Sequence, residues 1–217
     1  MKLAATVRTR RVRRTTKQGE AFRQELIAAA RGLFIEQGYE AVSIRKITER
    51  AGCPMMTFYV YFRSKRELIR HIWDDVLQVV FDAATGAALL EQAPDARLRA
   101  FFLTFIQYFL ANPDNYRIVF FHQDRLSSVD DAYYADSSQV RTRFAIAYQA
   151  IVDGVAAGIF TPTDPTKACE VLQTLSVGVA HCLIAMPELR WSDGLSEIAV
   201  DQVIAGLRVG ATPSLQA

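Results

Sequence analysis

Between Ser43 and Lys65 the chain carries side chains suited to gripping a polyanion. Thr57, Tyr59 and Tyr61 bear hydroxyls that donate hydrogen bonds to phosphate oxygens. Lys65 follows Ser64 at the start of a helix, whose terminal dipole also favours anions. Upstream, Arg8, Arg10, Arg11, Arg13, Arg14 and Lys17 occur without one acidic residue and with few apolar neighbours. Such a segment is expected to be disordered on its own, and Arg10 and Arg13 suit phosphate contacts or insertion into a minor groove. The plainer alternative is a solvated, solubilising tail. A transit peptide would need an amphipathic apolar face, and a secretory signal would need an apolar run after the basic one.

Groups for bond-breaking chemistry are not assembled in this way. No Ser/His/Asp set, nucleotide-binding glycine loop or credibly placed carboxylate pair is present, so catalysis is not expected and no cofactor is implied. Cys169, His181 and Cys182 invite a metal reading. Along one helix, at ~1.5 Å rise per residue, Cys169 stands about 18 Å from the other two, so they cannot converge within a subunit.

The 217 residues, 51% hydrophobic and 22% charged, describe a globular protein with a sizeable core. No apolar run approaches the ~18 residues of a membrane span, so no membrane partner is expected. Three cysteines cannot close a disulfide framework, which points to an intracellular, cytoplasmic chain. The net charge of +2 conceals a division. Residues 1–70 hold 16 Lys and Arg against six Asp and Glu, a net of +10; the rest hold nine against 17, a net of −8. The basic part suits a polyanion, which the acidic part would repel.

The elements that must position these groups read as helices throughout. Phe22, Leu26, Ala29, Ala30, Leu33 and Phe34 follow helical spacing from Glu20 to Gln37, and Gly38 stops that helix. Ser43 caps a short helix through Ala51, with Ile44, Ile47 and Ala51 inward. Gly52-Cys53-Pro54 breaks the chain, and Met55 to Phe62 resumes it with Pro54 at the first helical position. Ser64-Lys65-Arg66-Glu67 is a capping-box pattern opening a long helix. Helices are then predicted from Leu98 to Leu110, after the cap Asn112-Pro113-Asp114, from about Asp131 to Ile159, from Thr166 to Met186 behind an Asp164 cap, and from Leu195 to Val209. The prediction is an all-α fold of nine or ten helices.

A longer helix followed by two short ones around a glycine break is a helix-turn-helix, and its packing frees the outer side chains of Met55 to Tyr61 for a major groove. Residues 26–68 resemble the DNA-binding domain of the tetracycline-repressor (TetR) family of transcriptional regulators. The resemblance is carried by Ala30-x-x-Leu33-Phe34, Gly38-Tyr39, Ser43-Ile44-x-x-Ile47, Ala51-Gly52, Thr57-Phe58-Tyr59-x-Tyr61-Phe62 and Ser64-Lys65-x-Glu67-Leu68. It spans about a fifth of the chain. It implies that Ser43 and Arg45 meet DNA at the start of the second helix. By the same resemblance Thr57, Tyr59 and Lys65 hold phosphates, and Met55, Met56, Val60 and Tyr61 face bases or sugars. The chain departs from the family at Met55-Met56, usually a polar-small pair, at Val60, often histidine, and at Pro54. Met and Val supply apolar contacts, such as packing on thymine methyls, in place of bidentate hydrogen bonds. Met55 and Met56 could instead contact a protein surface.

The acidic part concentrates aromatics: Phe101, Phe102, Phe105, Tyr108, Phe109, Tyr116, Phe120 and Phe121 fall within residues 101–121. Core packing is the default reading. The family resemblance favours an effector cavity, lined by Phe105, Phe109, Phe121 and Tyr148, with Arg117, His122 and His181 as polar groups and an apolar or aromatic small molecule as occupant. The last two helices are apolar over most of their circumference, and the resemblance implies that they form a homodimer. Paired reading heads about 34–36 Å apart would then match a palindromic double-stranded operator. The expected organisation is a flexible basic arm over 1–18, a helix-turn-helix domain over 19–66 and an effector and dimerisation domain over 67–212. The expected function is a ligand-responsive DNA-binding regulator, a repressor released by its effector. The alternative is a helical small-molecule-binding protein or adaptor without sequence-specific DNA binding.

Overall fold

The structure is a computed structural model; it describes residues 16–120 and 142–210. Among these the chain is all-α, with one isolated bridge between Phe160 and Arg208 and no β-strand. The α-helices are α1 (Thr16–Gln37), α2 (Ile44–Arg50), α3 (Met55–Tyr61), α4 (Lys65–Leu89), α5 (Pro94–Ala111), α6 (Pro113–Phe120), α7 (Ala145–Ala156), α8 (Pro165–Ala185) and α9 (Leu195–Leu207). A 3-10 turn covers Pro187–Leu189. The chain divides into two compact units, one through Ile72 and one from Trp73. The dividing point falls inside α4.

In the first unit α1 buries Phe22, Leu26, Ala30 and Leu33 along one face, with Ile27 and Phe34 beside them. Gly38 ends it at φ 78°, a left-handed conformation cheap only for glycine, and donates from its N–H to Phe34 O at 2.9 Å. Ser43 caps α2 by accepting from the Lys46 N–H at 3.3 Å. Gly52, at φ 66°, makes the break before α3. Ile47, Phe58 and Phe62 are fully buried, which locks α2 and α3 onto α1; Ile44 is half-buried. Burying each such side chain is worth roughly 1.5–3 kcal/mol.

Local starts differ from expectation at Pro54, Pro94 and Asn112. Pro54 is the N-cap of α3, at ψ 142°, rather than its first residue. Its carbonyl accepts from the Thr57 N–H at 2.8 Å, and its missing N–H therefore lies outside the helix. Pro94 opens α5 a full turn before Leu98, because proline already has helical φ and needs no donor there. Asn112 does not cap α6 with its side chain; its amide turns back and donates to Tyr108 O at 2.8 Å, satisfying the end of α5.

In the second unit α5 lies among α7, α8 and α9 and buries Leu98, Phe101, Phe102, Leu103, Phe105, Ile106 and Phe109 around most of its circumference. Trp73 on α4 donates its indole N–H to Ile118 O on α6 at 2.8 Å. The helix predicted from Asp131 to Ile159 is described only as α7; its first part lies outside the described residues. It stops at Ala156, after which the chain folds back so that Phe160 lies over Gly154. Asp164 caps α8 as expected, accepting from the Thr166 N–H at 2.9 Å. At the other end of α8 the Trp191 indole donates to Cys182 O and Met186 O, at 3.0 and 2.9 Å.

α8 is long and apolar enough, by length and composition, to cross a membrane, although no continuous apolar run marks it. Small and hydroxyl residues punctuate its hydrophobic ones, and only a third of its most apolar stretch is buried. Its inner face, with Cys169, Leu172, Ser176 and Val179, packs in the bundle, while Val171 stands out.

Candidate nucleic-acid interface and effector residues

The packing of α3 decides which of its side chains face outward. With Phe58 pinned inside, Met55, Met56, Tyr59 and Val60 form two adjacent i, i+4 rows on the opposite face, 50%, 72%, 47% and 65% exposed. So large an exposed apolar surface on a seven-residue helix is the most unusual feature of this unit. Thr57 is half-buried at the edge of the rows. Ser43 and Arg45, at the start of α2, are both exposed. The Arg45 guanidinium donates from Nε to Glu49 Oε1 at 2.8 Å, a bond that raises its pKa.

Two expected contact residues are also tied to other parts of this unit. The Tyr61 ring is half-buried, with its centre 5.6 Å from that of Phe22. Lys65 turns inward: its ammonium donates to Tyr39 O at 2.8 Å and Val42 O at 2.9 Å and lies 3.9 Å from the centre of the Tyr39 ring. These carbonyls offset the unfavourable placing of a cation at a helix N-terminus. Ser64 and Glu67 complete that terminus. The Ser64 hydroxyl accepts from the Glu67 N–H at 3.1 Å, and the Glu67 carboxylate accepts from the Arg63 N–H, one residue earlier than in the usual capping box. Arg10 and Arg13 lie outside the described residues.

Composition did not single out the supports of this surface. Arg50 at the end of α2 forms a two-pronged pair with Glu36 on α1, at 3.0 and 2.7 Å. Lys46 donates to Gln37 Oε1 at 2.7 Å and Ala41 O at 2.9 Å. A basic residue nine or fourteen positions after a polar partner gives no periodic signal, so only the turn that brings α2 back along α1 reveals these ties.

In the second unit Phe105 and Phe109 are buried within a continuous aromatic cluster. The Phe105 ring centre lies 5.7 Å from that of Phe81 and 5.1 Å from that of Phe109, and Phe109 meets Tyr116 and Phe120 at 5.5 and 5.6 Å. Tyr148 is half-buried on α7. His181 is exposed on α8, its ring centre 6.2 Å from that of Tyr116. Arg117 is exposed and paired with Asp114 at 2.9 Å, on the outside of α6. Phe121 and His122 lie outside the described residues.

Buried polar groups accompany the cluster. Asn115 donates its amide to the Tyr108 hydroxyl at 2.9 Å, and Tyr116 donates its hydroxyl to Val177 O at 3.1 Å. Burial, followed by the nearby Cys182, pushes the Tyr116 pKa up to about 12, so this phenol stays a neutral donor. Among the described residues no group of three or more His, Cys, Asp or Glu side chains is placed to hold a metal.

A buried three-helix core presenting one outward helix face defines a helix-turn-helix DNA-binding module. The profile of bacterial regulatory proteins of the tetR family matches residues 26–72, spanning that module. The chain is 28% identical over 190 residues to the HTH-type transcriptional activator FasR of Mycolicibacterium smegmatis, covering 85% of this chain and 78% of that one. It is 25% identical over 150 residues to the HTH-type transcriptional repressor KstR2 of the same organism, covering 68% and 72%. A bacterial regulatory protein in the tetR family from Rhodococcus RHA1 shares the fold, with a TM-score of 0.69 over 86% of this chain and 97% of that one at 21% identity. Residues 26–72 thus match the DNA-binding domain of the tetR family, and the chain is a DNA-binding transcriptional regulator.

Proposed function

We propose that the protein is a cytoplasmic homodimer that represses transcription from a palindromic operator and is released by a small apolar or aromatic effector. The observation that carries this reading is the outward face of α3, together with Ser43 and Arg45 exposed at the start of α2, in a strongly basic part of the chain. Ser43, Arg45, Met55, Met56, Thr57, Tyr59 and Val60 are the proposed contacts. Tyr61 and Lys65 hold the frame from which these project. The proposed division is an arm over 1–18, a reading head over 19–66 and an effector and dimerisation part over 67–212.

Dimerisation is supported by apolar side chains left in water on the last two helices and just beyond them. Val171, Ile198 and Val209 are all at least half exposed, and a symmetry mate would cover them. The effector reading rests on the aromatic cluster around Phe105 and Phe109, with His181 beside Tyr116 at its margin and Tyr148 as a further proposed lining residue. An effector acts only through differential affinity for two arrangements of the dimer.

The test is binding of the full chain to its own promoter DNA across a range of salt concentrations. Affinity should fall steeply and log-linearly with salt, and sedimentation should give a dimer. Salt-insensitive binding, or a monomer at working concentration, would refute the proposal.

A further inference from the structure

We infer that α3 recognises its half-site through the C5 methyl groups of thymine, and that Met56 and Val60 are the residues that set this specificity. The inference rests on the DNA-binding reading and deepens it. Each base pair shows the major groove a distinct set of donors and acceptors, and thymine adds a methyl group. Reading guanine or adenine strongly takes a forked donor or donor–acceptor pair, from Arg, Lys, Asn or Gln. Helix α3 has none of these: its seven residues are Met55, Met56, Thr57, Phe58, Tyr59, Val60 and Tyr61. Its most exposed positions, Met56 at 72% and Val60 at 65%, lie one turn apart and form a single apolar ridge. Arg45 belongs to α2 and is already hydrogen-bonded to Glu49.

Charge selects the occupant of that ridge. An apolar ridge within a stretch carrying 16 basic and six acidic residues suits an anionic partner with apolar spots, and a thymine-bearing groove is such a surface. A protein partner with a plain hydrophobic face would not benefit from those charges.

The experiment selects duplexes from a randomised pool with the full chain, then replaces thymines of the selected site one at a time by uracil, which lacks only the methyl. At one or more positions per half-site the replacement should weaken binding about three- to fivefold, the worth of one buried methyl. Met56→Ala or Val60→Ala, both surface changes checked for folding by circular dichroism, should bind more weakly and lose that sensitivity. Replacing such a thymine by 5-methylcytosine should retain more affinity than replacing it by cytosine. Specific, salt-dependent binding in which every uracil replacement is neutral would overturn this inference and leave the DNA-binding reading intact. Absence of any sequence-specific binding would overturn both.

Discussion

The ammonium of Lys65 lies over the ring of Tyr39 and donates to the carbonyl of that same residue, 26 positions earlier in the chain. Its second bond, to Val42 O, reaches the turn immediately before the Ser43 cap. The start of α4 is thereby tied to the start of α2. A residue in this position shapes the reading surface.

Lys65→Ala should therefore weaken DNA binding while leaving the slope of log affinity against log salt unchanged, whereas loss of a phosphate contact would lower that slope by about one. It should also lower the thermal midpoint of the free protein, since two charge-assisted hydrogen bonds are lost at roughly 1.5–3 kcal/mol each before relaxation. Salt titrations of wild type and variant, beside melting curves, separate the two roles.

Gly154 marks a second close approach. A β-carbon added there would sit 2.2 Å from the ring of Phe160, itself 1% exposed. Glycine to alanine inside a helix is normally stabilising by about 1 kcal/mol. Here Gly154→Ala should destabilise by roughly 1–3 kcal/mol, because the ring must leave its packed position. In Phe160→Leu the same substitution should be less harmful, and a denaturant double-mutant cycle would register the coupling.

Tyr116 predicts an alkaline limit. An ordinary tyrosine ionises near 10, while burial holds the native phenol to about 12. The unfolded chain thus releases its proton first, and the stabilisation, complete below pH 10, declines as pH rises toward 12. Tyr116→Phe should flatten that decline, at the expense of one hydrogen bond to Val177 O, worth about 0.5–1.5 kcal/mol at neutral pH. Melting temperatures from pH 8 to pH 12 measure the difference.

The three thiols should react in two classes. Cys53 and Cys182 are half-buried, whereas Cys169 is buried and its thiol is pushed up to about 11 by burial and by Glu170. At pH 8 little of the Cys169 thiolate exists. A disulfide reagent should modify two thiols per chain quickly and the third only on unfolding; a fast third equivalent would contradict this packing.

Much of the architecture was legible from residue order because its causes are local. Gly38 and Gly52 adopt left-handed geometry at the breaks where their type demanded it, and Ser43, Ser64 and Asp164 cap helices whose N–H groups lie two or three residues away. The periodic burial of Phe22, Leu26, Ala30 and Leu33 needs only a helix with one side against a neighbour.

Other assignments depend on partners that local rules cannot supply. Lys65 and Tyr61 look like contact residues by type, yet each turns to a partner more than twenty-five residues earlier, because the turns around Gly38 and Gly52 bring α1 and its following loop beneath them. The aromatics of α5 announced a packed or ligand-lined helix without distinguishing the two, since hydrophobic spacing records that a face is covered and not by what. Their partners Phe81 and Phe144 come from α4 and from the residue that precedes α7, and only folding placed those rings against Phe105. Residue type and short spacing thus set where helices begin, end and turn a side inward; the long-range packing of those sides settled which outward groups remain to meet another molecule.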